Sequence, residues 1–198
     1  PLISSVVIGF SVNKISAKLS HWISCIGVIV SFICALYAFY CTRQYHDMSL
    51  KIVLFNWFDT YDITANMTIY IDALSALMLP MLTFISSLVH IFSIQYMNKD
   101  KSQPRFMAYL SLFTFFMMLL IVSDNLIQSF LGWEGVGLCS YLLIGFWFEK
   151  DSASNAAMKA FIVNRIADIG FILAIAASIS FLDTVEFDKI FATLPAYA

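Results

Sequence analysis

Apolar residues in this chain come in long unbroken runs, not in the alternating pattern of a half-buried strand or the single stripe of a surface helix. A helix that is apolar all round lies inside protein or lipid. Roughly 20 such residues cross a bilayer core of about 30 Å. Residues 20–41 (SHWISCIGVIVSFICALYAFYC) contain no Asp, Glu, Lys or Arg. Residues 71–95, 106–122, 125–148 and 154–182 form four more runs, and residues 1–12 read as the last part of a shortened first one. The pattern predicts about six membrane-spanning helices. Pro80 falls inside the third run, where neighbouring helices can satisfy the backbone it frees.

Two segments depart from the pattern. In residues 42–70, KIVLFNWF and MTIYI are rich in β-branched and aromatic residues and flank the polar stretch DTYDITAN. This predicts a small β-hairpin capping the membrane surface. Residues 183–198 predict a short amphipathic helix or loop at an interface. No Gly/Ser linker, low-complexity tract or repeat of about 20–50 residues divides the chain. The expectation is a single membrane domain over 1–198, all-α transmembrane, with a hairpin between spans two and three.

Composition sharpens this picture. Hydrophobic residues make up 61% and charged residues 12% of the 198, against about 25% charged in soluble proteins. So little polar surface could not cover a soluble fold, and the lipid bilayer becomes the first partner. The net charge of −2 and the lack of any basic patch with interleaved aromatics exclude nucleic acid. Cys25, Cys34, Cys41 and Cys139 form no C-x-x-C pair and have no His at ligand spacing. They read as small apolar residues in helices, with no metal site. The chain opens at Pro1, without Met and without a signal-peptide layout, so a preceding segment is expected.

Orientation follows from the cations. Loops after spans one, three and five hold Lys14, Lys18, Lys99, Lys101, Arg105 and Lys150; those after spans two, four and six hold Arg43, Lys51 and Lys189. The positive-inside rule puts the first set on the cytoplasmic or matrix side and the hairpin on the outside.

Four ionisable residues stand where hydropathy forbids them. Glu134 lies in IQSFLGWEGVGLCSYLL, eight residues or about 12 Å along the helix from Leu126. Arg165 and Asp168 lie in AFIVNRIADIGFIL, and Lys159 precedes them near the inner end of the sixth span. A charge at mid-membrane costs about 2.5–3.5 kcal/mol on insertion scales, so such residues face protein or water and generally act. Arg165 and Asp168, three apart, share a helix face and can pair locally. That pair is either static or a switch that opens when another charge moves. Glu134 has no ionisable neighbour within a turn, so its partner must come from another helix. Desolvation favours its neutral form and a nearby cation its carboxylate, so moving that cation would load or unload a proton. Its alternative role is a structural hydrogen bond.

Around these, Gly132, Gly135 and Gly137 allow close helix approach. Lys159 either snorkels to the interface or extends the charged chain inward. Asp72 and Asp124 read as helix N-terminal charges. His90, in SSLVHIFSIQYM, reads as hydrogen-bonded packing ahead of a relay role. His21 and His46 sit too near span ends for haem ligation with it.

LIQSFLGWEGVGLCSYLLIGFW followed by SASNAAMKAFIVNRIADIGF resembles the subunit-five, or L-type, antiporter-like family of respiratory complex I (NADH dehydrogenase). TFISSLVHIFSIQYM and SQPRFMAYLSLFTFFMMLLIVSDN are similar to the segments that precede it there, so the likeness covers nearly the whole chain and corresponds to the N-terminal third of the family. It implies a proton-translocating membrane-arm subunit that couples quinone reduction elsewhere to proton transfer. It implies proton-transfer roles for Glu134, Arg165, Asp168 and Lys159, and no catalytic, cofactor-binding or metal residue in this chain. NADH, FMN, iron–sulfur clusters and ubiquinone are expected in other subunits. Partners implied are other membrane-arm subunits and, if the subunit is split between two chains, the chain carrying the rest of it, in the mitochondrial inner membrane or, second, a bacterial plasma membrane. The family commonly has Gly where Ala167 stands, and its later helices are not found in this sequence. A related multi-subunit cation/proton antiporter or membrane-bound hydrogenase shares this module and is the alternative. A purely structural anchor is the third reading, and the buried acids argue against it.

Overall fold

The computed structural model describes residues 1–44, 49–60 and 63–193. Nine elements follow in chain order: α1 (Leu2–Phe10), α2 (Ala17–Gln44), β1 (Leu50–Thr60), β2 (Ile63–Ile71), α3 (Ala73–Tyr96), α4 (Gln103–Ile121), α5 (Leu126–Ile144), α6 (Asp151–Leu182) and α7 (Phe187–Thr193). Among the described residues five helices, α2 to α6, are long and apolar enough to cross a membrane. The shortened first span expected over 1–12 is the nine-residue helix α1, which rises about 14 Å. The fifth run is helical over α5 alone, because the chain turns at Gly145 and residues 145–150 form the loop into α6.

Local signals set the helix ends. Asp72 caps α3 in a reciprocal box with Ser75, each side chain taking the other's orphan backbone N–H. Asn125 caps α5 by accepting from the Gln128 N–H at 2.8 Å, and Pro104 sits in the first turn of α4, where its missing N–H costs nothing. Pro80 is accommodated within α3. Two glycines bring α4 and α5 together. A Cβ on Gly132 would stand 2.8 Å from the Leu120 backbone, and one on Gly135 would run into the Phe116 ring.

The expected hairpin is β1 and β2, antiparallel, with two register irregularities between Val53 and Phe58. Tyr61 and Asp62, within the expected polar turn, lie outside the described residues, as do His46 and residues 194–198 of the tail. The free edge of β2 is closed by the start of α5 and the turn before it. Asn66 O accepts from Asn125 Nδ2 at 2.9 Å. Thr68 gives its N–H to Gln128 Oε1 at 2.9 Å and takes Gln128 Nε2 on its carbonyl at 2.7 Å. Tyr70 N–H reaches Val122 O at 2.9 Å. Gln128, fully buried, thus supplies the amide pairing of a missing strand, which removes the exposed edge.

Loops gather at two surfaces, as the alternation of spans requires. On the hairpin side Lys51 pairs with Asp124 at 2.9 Å, and Glu186 lies 3.9 Å away. Asp124 was expected as a simple helix-end charge; burial beside Asn125 explains why it takes a lysine instead. On the other side Trp147 Nε1 donates to Asp100 at 2.8 Å and Arg105 Nη2 to Phe146 O at 3.2 Å. The tail forms the short α7, tied by Phe187 N–H to Asp124 O at 3.0 Å.

Candidate functional site

Glu134 is the ninth residue of the 19-residue α5, and Arg165 and Asp168 occupy the middle of the 32-residue α6. The two helices pack side by side, which places all three near the centre of the membrane thickness. Arg165 Nη1 donates to Glu134 Oε1, so the partner that Glu134 lacks on its own helix comes from α6. The same Nη1 lies 3.8 Å from Asp168 Oδ2. The expected local pair therefore exists, but as the longer arm of a fork.

Asp168 has its own donor. Trp133 Nε1 gives it a hydrogen bond at 3.0 Å. Consecutive residues of α5, Trp133 and Glu134, thus engage Asp168 and Arg165, three apart on α6. Trp133 was not picked out from the sequence, because an aromatic at that position reads as lipid-facing packing. The guanidinium also lies over the Phe161 ring, 5.3 Å from its centroid.

These groups line a cavity of about 470 Å³ that also touches Phe116, Asn164 and Gly137. Burial is uneven: Asp168 is enclosed, Glu134 is 22% exposed and Arg165 54%. Arg165 therefore sits on the open flank of α6, where Ile162, Ile166 and Ile169 are also exposed. Lys159 is exposed six residues earlier, about 9 Å along the axis, and makes no ion pair with the other three. The structure brings together three of the four expected residues.

Charge balance defines what this arrangement can do. Two carboxylates share one cation, so the group is neutral only when one acid carries a proton. Arg165 reaches both acids, and Trp133 gives Asp168 a donor of its own. Among the described residues no group of three or more His, Cys, Asp or Glu is placed to hold a metal ion.

Two stretches of the chain match described families. Residues 57–107 match the family described as NADH-Ubiquinone oxidoreductase (complex I), chain 5 N-terminus. Residues 123–197 match the family described as NADH:quinone oxidoreductase/Mrp antiporter, TM. NADH-quinone oxidoreductase subunit L of Rickettsia typhi is 45% identical over 191 residues, 96% of this chain and 29% of that protein. NADH-ubiquinone oxidoreductase chain 5 of Metridium senile is 46% identical over 191 residues, 96% of this chain and 32% of that protein. A chain in the structure of the membrane-bound sulfane sulfur reductase, an archaeal respiratory membrane complex, superposes with a TM-score of 0.80 at 17% identity. That match covers 94% of this chain and 37% of the other and speaks to the fold. The chain belongs to the antiporter-like membrane subunits of NADH:quinone oxidoreductase, in the subunit L or chain 5 branch, and spans about a third of the length of the relatives it matches.

Proposed function

We propose that this chain is the N-terminal part of a proton-translocating membrane-arm subunit of NADH:ubiquinone oxidoreductase. Protons pass through buried charged residues, driven by quinone reduction in other subunits. The observation that carries this is the fork in which Arg165 reaches both Glu134 and Asp168 inside the membrane. Two acids competing for one cation store a proton whose release depends on where the cation sits. Lys159, exposed on α6 toward its inner end, extends the charged path when a further helix covers that flank.

The chain acts as part of an enzyme without doing redox chemistry itself. NADH, FMN, the iron–sulfur clusters and ubiquinone belong to partner subunits. The membrane is the mitochondrial inner membrane, with a bacterial plasma membrane second. A cation/proton antiporter assembly is the other reading, favoured by the second family's description; it keeps the same site and changes the partners.

Mild-detergent extraction, a native gel and an in-gel NADH dehydrogenase stain separate the two. The chain is expected, by mass spectrometry, in a large NADH-oxidising band. Finding it only in a smaller, NADH-inactive assembly would select the antiporter. In the NADH-oxidising complex, Glu134→Gln should lower the proton-pumping rate by on the order of tenfold, with assembly kept. Full pumping in that variant would return Glu134 to a structural role.

A further inference from the structure

A second buried polar system lies among α2, α3 and α4, apart from the Glu134 fork. His90 is completely buried. Its Nδ1 lies 2.7 Å from Ser86 O and 3.3 Å from Ser86 Oγ, and its Nε2 lies 3.4 Å from Ser111 Oγ. Ser111 Oγ meets Ser24 Oγ at 2.6 Å, and Ser86 Oγ meets Thr114 Oγ1 at 2.6 Å. Three helices thus contribute hydroxyls to one imidazole.

The donors can be assigned by elimination. A carbonyl only accepts, so Nδ1 carries the proton toward Ser86 O and neutral Nε2 must accept. Ser111 therefore donates to Nε2, and Ser24 donates to Ser111. At the other end Thr114 donates to Leu110 O at 3.0 Å, so Ser86 donates to Thr114. Every bond in the chain points the same way, from Ser24 inward. A hydrogen-bond file with one direction and a basic nitrogen at its centre is more than packing requires, since one bond would satisfy each hydroxyl.

The file is buried and lies toward the inner half of the bundle. Ser24 is seven residues into α2 and His90 is six from the end of α3, both about 10 Å from the inner helix ends. One turn before Ser24 stands His21, buried, its Nε2 without a hydrogen-bond partner among the described residues. His21 also lines a groove of about 380 Å³ between α2 and α3 that reaches Lys18.

We infer that His90 is a proton-loading residue served from the inner face through Ser24 and Ser111, a second protonatable site beside the Glu134 fork. This rests on the proton-translocation reading above. In the loading step a proton from inner-face water bonds to Ser24 Oγ, which passes its own to Ser111. Ser111 passes its own to His90 Nε2, forming one N–H bond and leaving both hydroxyls intact. The resulting imidazolium keeps two acceptors, Ser86 O at Nδ1 and Ser111 Oγ at Nε2. The ring's hydrogen-bond partners are hydroxyls and a carbonyl, with no carboxylate among them, so the charged form is short-lived and unloads readily.

The test uses the intact NADH-oxidising complex carrying His90→Asn, Ser111→Ala or, as comparator, Glu134→Gln. Asn keeps an N–H for Ser86 O but cannot hold a proton, and Ser111→Ala breaks the file without touching the ring. Both should assemble normally and lower the protons moved per electron by about twofold or more. Redox-triggered infrared difference spectra should show an imidazolium band that His90→Asn abolishes and Ser111→Ala weakens. Unchanged pumping in both variants, with no such band, overturns the inference; if Glu134→Gln alone loses pumping, the wider reading stands without it. If Glu134→Gln also pumps normally, the wider reading fails. Should His90→Asn fail to assemble, Ser111→Ala and Ser24→Ala decide, because neither removes the ring.

Discussion

Two clusters of charge in this chain use the same residue types for opposite ends. At the outer surface Lys51 meets Asp124 and Glu186, with Lys189 3.1 Å from Glu186. In the membrane Arg165 meets Glu134 and Asp168. The outer cluster is clamped by backbone: Leu126 N–H to Val185 O and Phe187 N–H to Asp124 O, which together make the antiparallel bridge between Asn125 and Glu186. Its ion pairs join two cations to two acids, with Asp188 a third acid within electrostatic reach of Lys51. The inner fork has an odd charge and is joined across helices only by side chains. One cluster fixes where three segments meet, and the other sets one cation between two acids. Rigidity comes from the backbone bonds around a pair, and the capacity to switch from their absence.

Breaking the fork should have the largest effect. Arg165→Met removes the cation and leaves two acids facing each other, so one stays protonated throughout the cycle. Pumping is expected to fall on the order of tenfold. Arg165→Lys should restore part of it, since lysine keeps the charge but lacks the fork that reaches two carboxylates. Equal pumping by the Met and Lys variants would show that charge at this position is not used.

The outer region should respond in stability and not in pumping chemistry. Gln128→Leu leaves the N–H and the carbonyl of Thr68 unpaired in a fully buried spot. At about 1–3 kcal/mol for each of the two stranded groups, hairpin docking should weaken by roughly 2–6 kcal/mol. Hydrogen exchange at β2 would rise well above that in α5. Unchanged protection of β2 would mean that β1 pairing alone holds it.

Much of this was legible in the residues, and the misses have physical causes. Span positions followed from run length, and the hairpin from the β-branched segments on either side of DTYDITAN. Glu134, Arg165 and Asp168 stood out because a charge in a lipid-length run is costly. What could not be read was which face of α5 meets which face of α6, a property of packing. Hence the pairing of Glu134 with Arg165 was expected only as some partner from elsewhere, and Trp133 was passed over. Gln128 looked like one more polar residue near a helix start, since its role depends on a strand some 60 residues earlier. The hydroxyls were a readable signal: Thr83, Ser86, Ser87, His90 and Ser93 recur at helical spacing through α3. A polar stripe in an apolar helix marks a face turned to protein, and here it marks α2 and α4.

Within the fork, Trp133→Phe gives a finer test. It keeps an aromatic ring on the Phe171 side and removes the donor to Asp168 together with part of the indole. One hydrogen bond to a charged acceptor is worth about 1.5–3 kcal/mol. Arg165 should then spend more time at Asp168 and less at Glu134, and pumping should slow by about threefold to tenfold with little change in assembly. A pumping rate equal to that of the unaltered protein would mean that Asp168 is held by Arg165 alone.

The smallest effect belongs to the surface charges that backbone already holds, and it carries a sign. Asp100 accepts from the Ser102 N–H at 2.7 Å and from Trp147 Nε1, which together hold its carboxyl below the usual carboxylate range. Lys51 is pushed above the usual lysine range, chiefly by its hydrogen bond to Asp124. A lowered acid stabilises the fold above its unfolded value, and that contribution fades as pH falls through the lowered one. A raised lysine stabilises below its unfolded value and is lost as pH climbs through the raised one. Acidification from about pH 6 to about pH 3 should therefore lower the melting temperature of the solubilised protein slightly more than that of Asp100→Asn. On the alkaline side the Lys51 contribution should be lost as pH climbs above about 10.5. Because Asp100 is near water, the difference should be a degree or two and shrink in salt. A difference of the opposite sign, with Asp100→Asn losing more on acidification, would mean that the Trp147 and Ser102 bonds do not favour the charged carboxylate.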